Sequence, residues 1–170
     1  MKPLWALLVC LAVCSCASSG GSVIEKVKYD FGIGEKPEGY VSGTDKVMER
    51  LDGIGKSELK RMNMAGRHGE VVFEGEGQLR GKYYKKVKVY EEYHPLDAFP
   101  TSRSSATERG FIGLIQYTYR VYEGERKSNR TEAAAASANT QTDVSGRETY
   151  RYRFGQGATW DGAPGELTRD

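Results

Sequence analysis

FIGLIQYTYRVY, residues Phe111 to Tyr122, is the stretch whose reading decides the fold. It is the most apolar strand candidate in the chain, dense in the β-branched and aromatic side chains that fit a pleated surface, and it reads as a central strand. Downstream, TYRYRF (Thr149 to Phe154) alternates strictly, with Tyr150, Tyr152 and Phe154 on one side and arginines on the other. Upstream, Val71, Phe73 and Leu79 alternate with Glu74, Glu76 and Arg80. A turn near Arg80-Gly81 then leads into Tyr83 to Tyr93, where Val87 and Val89 alternate with Lys86, Lys88 and Tyr90. The two runs predict a long β-hairpin. Gly75 and Gly77 fall on its apolar side, where a bulge or a close approach by another element is expected.

The segments around these strands are of other kinds. Val23 to Phe31 places Val27, Tyr29 and Phe31 opposite Lys26, Lys28 and Asp30, which predicts a further half-buried strand. Thr44 or Asp45 is suited to cap a helix whose stripe runs through Val47, Met48, Leu51 and Ile54. Gly53 and Gly55 interrupt that stripe, Ser57 restarts it with Leu59 and Met62 inward, and Gly66 is a stop signal. Pro95 to Gly110 reads as a polar loop. Glu123 to Arg147 is polar, with alanines at 133 to 136. Its composition cannot bury a core, and it is expected as a mobile excursion or as a short helix started by Thr131. A final turn carries Trp160, and Leu167 is placed to pair back.

These elements sum to a single α+β domain over residues 23 to 170. The expected architecture is a curved antiparallel β-sheet of four to six strands with one broken helix packed on a face, and the loop of about 123 to 147 outside it. A partly closed barrel is the alternative arrangement.

The chain of 170 residues carries 25 basic and 23 acidic side chains, a formal charge of +2. Such balance offers no long-range field for nucleic acid or anionic lipid. All three cysteines, Cys10, Cys14 and Cys16, lie near the N-terminus, so residues 23 to 170 contain neither thiol chemistry nor a disulfide scaffold.

No Gly-x-Ser-x-Gly elbow occurs, and Gly75-Glu76-Gly77 and Gly155-Gln156-Gly157 do not extend to a dinucleotide or phosphate loop. His68 and His94 stand alone, without a second histidine or a cysteine at ligand spacing, so no metal site and no cofactor are expected. Glu91 and Glu92 lie on a solvated strand end. Tyrosine is the one compositional excess: Tyr83, Tyr84, Tyr90, Tyr93, Tyr117, Tyr119, Tyr122, Tyr150 and Tyr152 lie on strands among Lys and Arg. Such a set suits a glycan or peptide ligand face, and it suits better still the cross-strand packing of a half-buried sheet.

Two stretches resemble known families. Leu51-Asp52-Gly53-Ile54-Gly55-Lys56, followed by Glu58 to Met62, resembles a helix-hairpin-helix motif, with Leu59 where that family carries a small residue. The resemblance implies DNA-phosphate contact through Gly53, Gly55 and Lys56. It is a single copy without a wider basic patch, and nucleic acid is not the expected partner.

At the N-terminus, Lys2 precedes an apolar run from Leu4 to Val13, the length of a secretory core and too short for the roughly 20 residues of a membrane span. Val13-Cys14-Ser15-Cys16 closes it and resembles the lipobox of bacterial lipoproteins. The match is better at Cys16, which follows small Ser15 with Val13 three residues before it, than at Cys14, which follows bulky Val13. The resemblance implies a signal peptide over 1 to 15, removed on export, and a lipid on Cys16. It further implies a diacylglyceryl group, usually with an added N-acyl chain, as stable anchoring needs more than one chain.

Residues 16 to 22, the anchor and ASSGGS, then form a flexible tether. No Asp follows Cys16, which in a cell with two membranes favours the outer one. The expected location is therefore a cell or outer membrane, with the domain on the periplasmic or extracellular side. The expected role is a binding or scaffolding module, with an envelope protein or glycan as partner. A small hydrolase acting on cell-wall or lipid material is the alternative, and DNA binding a remote one.

Overall fold

The computed structural model describes residues 23–30, 33–35, 39–75, 81–101 and 110–169. The expectations for the signal peptide, the tether and Cys16 lie outside the described residues. In chain order the elements are α1 (Val23–Asp30), α2 (Gly43–Gly66), β1 (Glu70–Glu74), β2 (Lys82–Pro100), β3 (Phe111–Gly124), α3 (Arg130–Ala135), β4 (Ala138–Phe154) and β5 (Glu166–Leu167). The five strands form one open antiparallel sheet in the order β1-β2-β3-β4-β5, so the fold is mixed α+β and not a barrel. β3 is central, as its sequence predicts.

Its inward residues Phe111, Ile115 and Tyr117 are buried with Tyr152 and Phe154 of β4 under Val47, Leu51 and Ile54 of α2. At Gly113 a β-carbon would meet Leu51 Cδ2 at 2.6 Å, so the missing side chain lets helix and sheet approach. At the far end of β4, Ala158 is buried with φ of 56°, and Arg50 of α2 donates to the carbonyls of Gly157 and Ala158.

Four expectations are corrected. Val23 to Asp30 is helical, not a strand. Val23 and Val27 satisfy the helical spacing of four as well as alternation, and Glu25 near the start and Lys28 near the end suit the helix dipole. Asp30 then accepts from the Gly43 amide at 2.8 Å and the Tyr40 hydroxyl at 2.7 Å, which joins α1 to the start of α2.

The helix expected to break at Gly53 and Gly55 is continuous over 24 residues. Its N-cap is Ser42, in a capping box with Asp45, two or three residues before the predicted cap at Thr44 or Asp45. Two helical glycines cost about 1 kcal/mol each, but the buried stripe of Val47, Leu51 and Ile54 outweighs them.

The loop expected from Pro95 begins only after Pro100. Pro95 sits beside a register shift between Pro95 and Asp97, where its missing N–H breaks no regular ladder. Thr101 and Gly110 then close the hairpin, with Thr101 N to Gly110 O at 2.9 Å and Gly110 N to Thr101 Oγ1 at 2.9 Å.

Of the two alternatives for 123 to 147 the short helix near Thr131 is present as α3, while the mobile excursion is replaced by the end of β3 and the first half of β4. α3 is capped by Asn129, which accepts from the Thr131 amide, and Ala133 is buried. The polar composition is tolerated because the strand Ala138 to Arg147 is mostly exposed yet pairs with β3 on either side of register shifts between Arg120 and Tyr122 and between Glu123 and Gly124.

The two helical glycines give a sign-opposed test of this continuity. A β-carbon at Gly53 meets nothing within 4 Å, whereas one at Gly55 strikes the Tyr93 ring. Gly53→Ala should raise stability by about 0.5–1 kcal/mol through helix propensity. Gly55→Ala should lower it by about 1–3 kcal/mol through overpacking. Chemical denaturation reads both, and a loss for Gly53→Ala would mean that residue 53 is not helical in solution.

Candidate functional site

α2 starts over Phe111 and Gly113 and ends over β2. Near its end, Asn63 receives the Tyr90 amide on Oδ1 and donates through Nδ2 to the Tyr90 carbonyl, both at 2.8 Å. This side-chain amide stands in for a neighbouring strand where β2 changes register between Tyr90 and Glu92. The cross-strand rows on the helix side follow from the register: Tyr93, Tyr117 and Glu148, then Tyr90, Tyr119 and Gly146, then Lys88 and Val121. Beside the C-terminal half of α2 these rows leave a cavity of about 620 Å³, whose lining includes Arg61, Met62, Ala65, Lys88, Tyr90 and Tyr150.

Tyr90 and Tyr150 supply the aromatic surface of this groove, and tyrosines continue into the core beneath it. The Tyr90 ring meets those of Tyr117, Tyr119 and Tyr150 edge-on at centroid distances of 6.0, 6.0 and 6.5 Å. Tyr117 and Tyr150 meet at 5.5 Å, also edge-on. Such contacts hold the rings at set angles. Tyr119 lies across Gly146, where a β-carbon would come within 2.6 Å of its hydroxyl oxygen. Both readings of the tyrosine excess thus meet here: Tyr117 and Tyr152 are buried core, with their hydroxyls 2.8 Å apart, while Tyr90 and Tyr150 are half-buried and line the groove.

The charged groups are paired within the protein. Glu148 accepts from Lys88 Nζ at 2.6 Å, the Tyr90 hydroxyl at 2.5 Å and the Tyr150 hydroxyl at 3.2 Å. Burial pushes its carboxyl up, but Lys88 and the two hydroxyls together hold it below the ordinary carboxylate value. Burial, then the hydrogen bond to Glu148, raises Tyr90 well above the ordinary phenol value, and burial raises Tyr150 too. Lys88 also lies over the Tyr119 ring at 4.4 Å. Glu58, 3 % exposed, accepts both Nε and Nη2 of Arg61 at 2.6 Å, and that bidentate pairing raises the guanidinium further.

The residues singled out from sequence fall elsewhere. Gly53, Gly55 and Lys56 lie inside α2, so the turn that would aim their amides at a phosphate does not form. His68 lies at the rim of the groove, exposed, with Nε2 3.2 Å from Arg67 Nε. His94 is exposed with Nε2 3.5 Å from Glu92. Glu91 pairs with Arg120 at 2.8 Å and accepts from Tyr122 at 3.3 Å on the opposite face of the sheet. Among the described residues no group of three His, Cys, Asp or Glu side chains is placed to hold a metal ion.

Glu58, Arg61, Lys88 and Glu148 were not anticipated. Glu58 had a legible signal: it continues the stripe Val47, Leu51, Ile54 at helical spacing, where a charged residue needs a partner, and Arg61 stands three residues on. Glu148 also shares its strand face with Tyr150 and Tyr152 by simple alternation. No family model, curated protein or solved structure matches the chain.

Proposed function

We propose that the chain is a lipid-anchored protein of the cell envelope whose domain binds or scaffolds, with its ligand held in the groove between α2 and the sheet. The observation that carries the reading is the groove itself: a concavity lined by half-buried tyrosines and apolar side chains, built on helix and strands. A hydrolase acting on cell-wall or lipid material needs a carboxylate or base free to move a proton. Glu148 already takes three hydrogen bonds and Glu58 is held at both oxygens, which favours binding over that alternative. The register shifts beside Tyr90 and Tyr119 support a sheet curved around the ligand.

The anchor rests on Val13-Cys14-Ser15-Cys16. On this reading the membrane is engaged through the lipid on Cys16, and an envelope protein or glycan reaches the groove from the periplasmic or extracellular side. Ala65 lines the groove and is exposed, and Ala134 on α3 is exposed outside it. With the photoreactive residue p-benzoylphenylalanine at Ala65, irradiated cells should yield an adduct that the same residue at Ala134 does not give. Equal adducts at both positions, or none at Ala65, would count against the groove. Cys16→Ala should abolish labelling by a clickable fatty acid and leave an unprocessed precursor. Loss of label in Cys14→Ala alone would move the anchor.

A further inference from the structure

We infer that the ligand of this groove is an uncharged ring-bearing polyhydroxyl compound, a saccharide, an inference that rests on the groove being the binding site. The argument starts from what its charged side chains have left to offer. A charged ligand is drawn in by an unpaired opposite charge at the site, which compensates for the water it must shed. Here two such charges are already spent internally: Arg61 on Glu58, and Lys88 on Glu148 and the Tyr119 face. Of the other charged lining residues, Lys86 and Glu70 stand directly opposite one another on β2 and β1, one of each sign. The three cations of the lining, Arg61, Lys86 and Lys88, are thus matched by the carboxylates of Glu58, Glu70 and Glu148, which leaves no charge in excess.

What remains suits a sugar. Tyr90 and Tyr150 are fixed at set angles by edge-on ring contacts, and half-exposed aromatic surface accepts the apolar C–H face of a pyranose. Met62, Ala65 and Val121 extend that apolar surface. Around it stand polar groups held in place by their own partners: the tyrosine hydroxyls, which donate to Glu148 and keep lone pairs to accept from a sugar hydroxyl, and the Lys88 ammonium and half-exposed Arg61 guanidinium, which keep N–H groups to donate. Groups pre-positioned in this way pay little ordering entropy when hydroxyls replace water. A cavity of about 620 Å³ accommodates two or three sugar rings.

The test uses the full chain in detergent micelles with 3-fluorotyrosine in place of tyrosine, its fluorine signals assigned through Tyr90→Phe and Tyr150→Phe. The probes are the neutral trisaccharides of β-1,4-linked N-acetylglucosamine and of α-1,4-linked glucose, and trigalacturonate as the charged analogue. At least one neutral trisaccharide should move the Tyr90 and Tyr150 signals, with an affinity that changes by less than about twofold between low and high salt. Ala65→Trp, which fills the groove from an exposed position, should abolish the shifts.

Three results would overturn the inference: no shift with either neutral sugar, shifts that persist in Ala65→Trp, or shifts from trigalacturonate alone that weaken about tenfold as salt rises. In each case the adduct formed at Ala65 reports independently on whether the groove binds anything. A failed sugar class and a failed site are therefore told apart.

Discussion

Above pH 10 the domain is expected to unfold cooperatively, and the phenolate absorbance of its buried tyrosines should rise with the loss of structure, not before it. Burial raises Tyr117 to about 12, and raises Tyr152 further, with its bond to the Tyr117 hydroxyl adding to the effect. Tyr90 and Tyr150 are raised as well, burial again coming first. The sign follows from proton counting. Below pH 10 these phenols are protonated in both states, and their contribution to stability is fully present. Above it the unfolded chain releases its phenolic protons while the folded domain keeps them, so stability falls as pH rises toward the folded values.

Each retained proton is worth about 1.4 kcal/mol per pH unit. Tyr117 and Tyr152, both essentially inaccessible, alone remove about 2 kcal/mol over the first unit above 10 and approach that limiting slope beyond it. Tyr90 and Tyr150 are half-buried and open to water at the groove, so they add a screened fraction of that. A domain holds about 5–15 kcal/mol in all, so unfolding should follow within about two units. The measurement is a pH titration that follows phenolate absorbance and circular dichroism together. Tyr117→Phe with Tyr152→Phe should flatten the fall. If the whole phenolate signal developed near pH 10 with the dichroism unchanged, the hydroxyl pair would not be buried as described.

The same residues show which parts of the fold were legible. β3, the end of β4 from Thr149 and the pairing of β1 with the first half of β2 were readable because a two-residue period on a half-buried sheet leaves one kind of side chain on each face, as at Tyr150, Tyr152 and Phe154. α1 was not, because eight residues are too few to separate a period of two from one of 3.6 when Val23 and Val27 satisfy both. Gly53 and Gly55 suggested a break because propensity is local, while the gain that overrides it comes from Leu51 and Ile54 burying against strands some sixty residues away. Pro95 hid the second half of β2 for a related reason: its fit depends on a register shift that only the partner strand defines.

The groove was half legible. The tyrosines were named as a set, but their division into Tyr117 and Tyr152 below and Tyr90 and Tyr150 at the opening depends on where α2 stops covering the sheet. Nothing in the local sequence of β4 carries that information.

Arg61→Met should destabilise the domain by about 2–4 kcal/mol, while replacing both partners, Glu58→Leu with Arg61→Leu, should cost less than about 1 kcal/mol. Glu58 is 3 % exposed on the inner stripe of α2, and among the described residues its carboxylate is held by Arg61 at both oxygens. Removing the guanidinium leaves a charge under the helix with nothing to compensate its lost hydration, whereas removing both groups leaves an apolar stripe continuous with Leu51 and Ile54. The Arg61 side chain is 47 % exposed, so water relaxes part of the penalty and the loss belongs in the lower half of that range. Urea denaturation of the two variants reads the difference directly.

The comparison also separates stability from recognition. If the pair serves only to hold α2 on the sheet, the double replacement should keep both the fold and the tyrosine shifts produced by a neutral sugar. If Arg61 also donates to the ligand from the wall of the groove, the double replacement should stay folded and bind more weakly. A fold-neutral Arg61→Met would instead mean that the Glu58 carboxylate reaches water and that the inner stripe is less tightly closed at Glu58 than at Leu51.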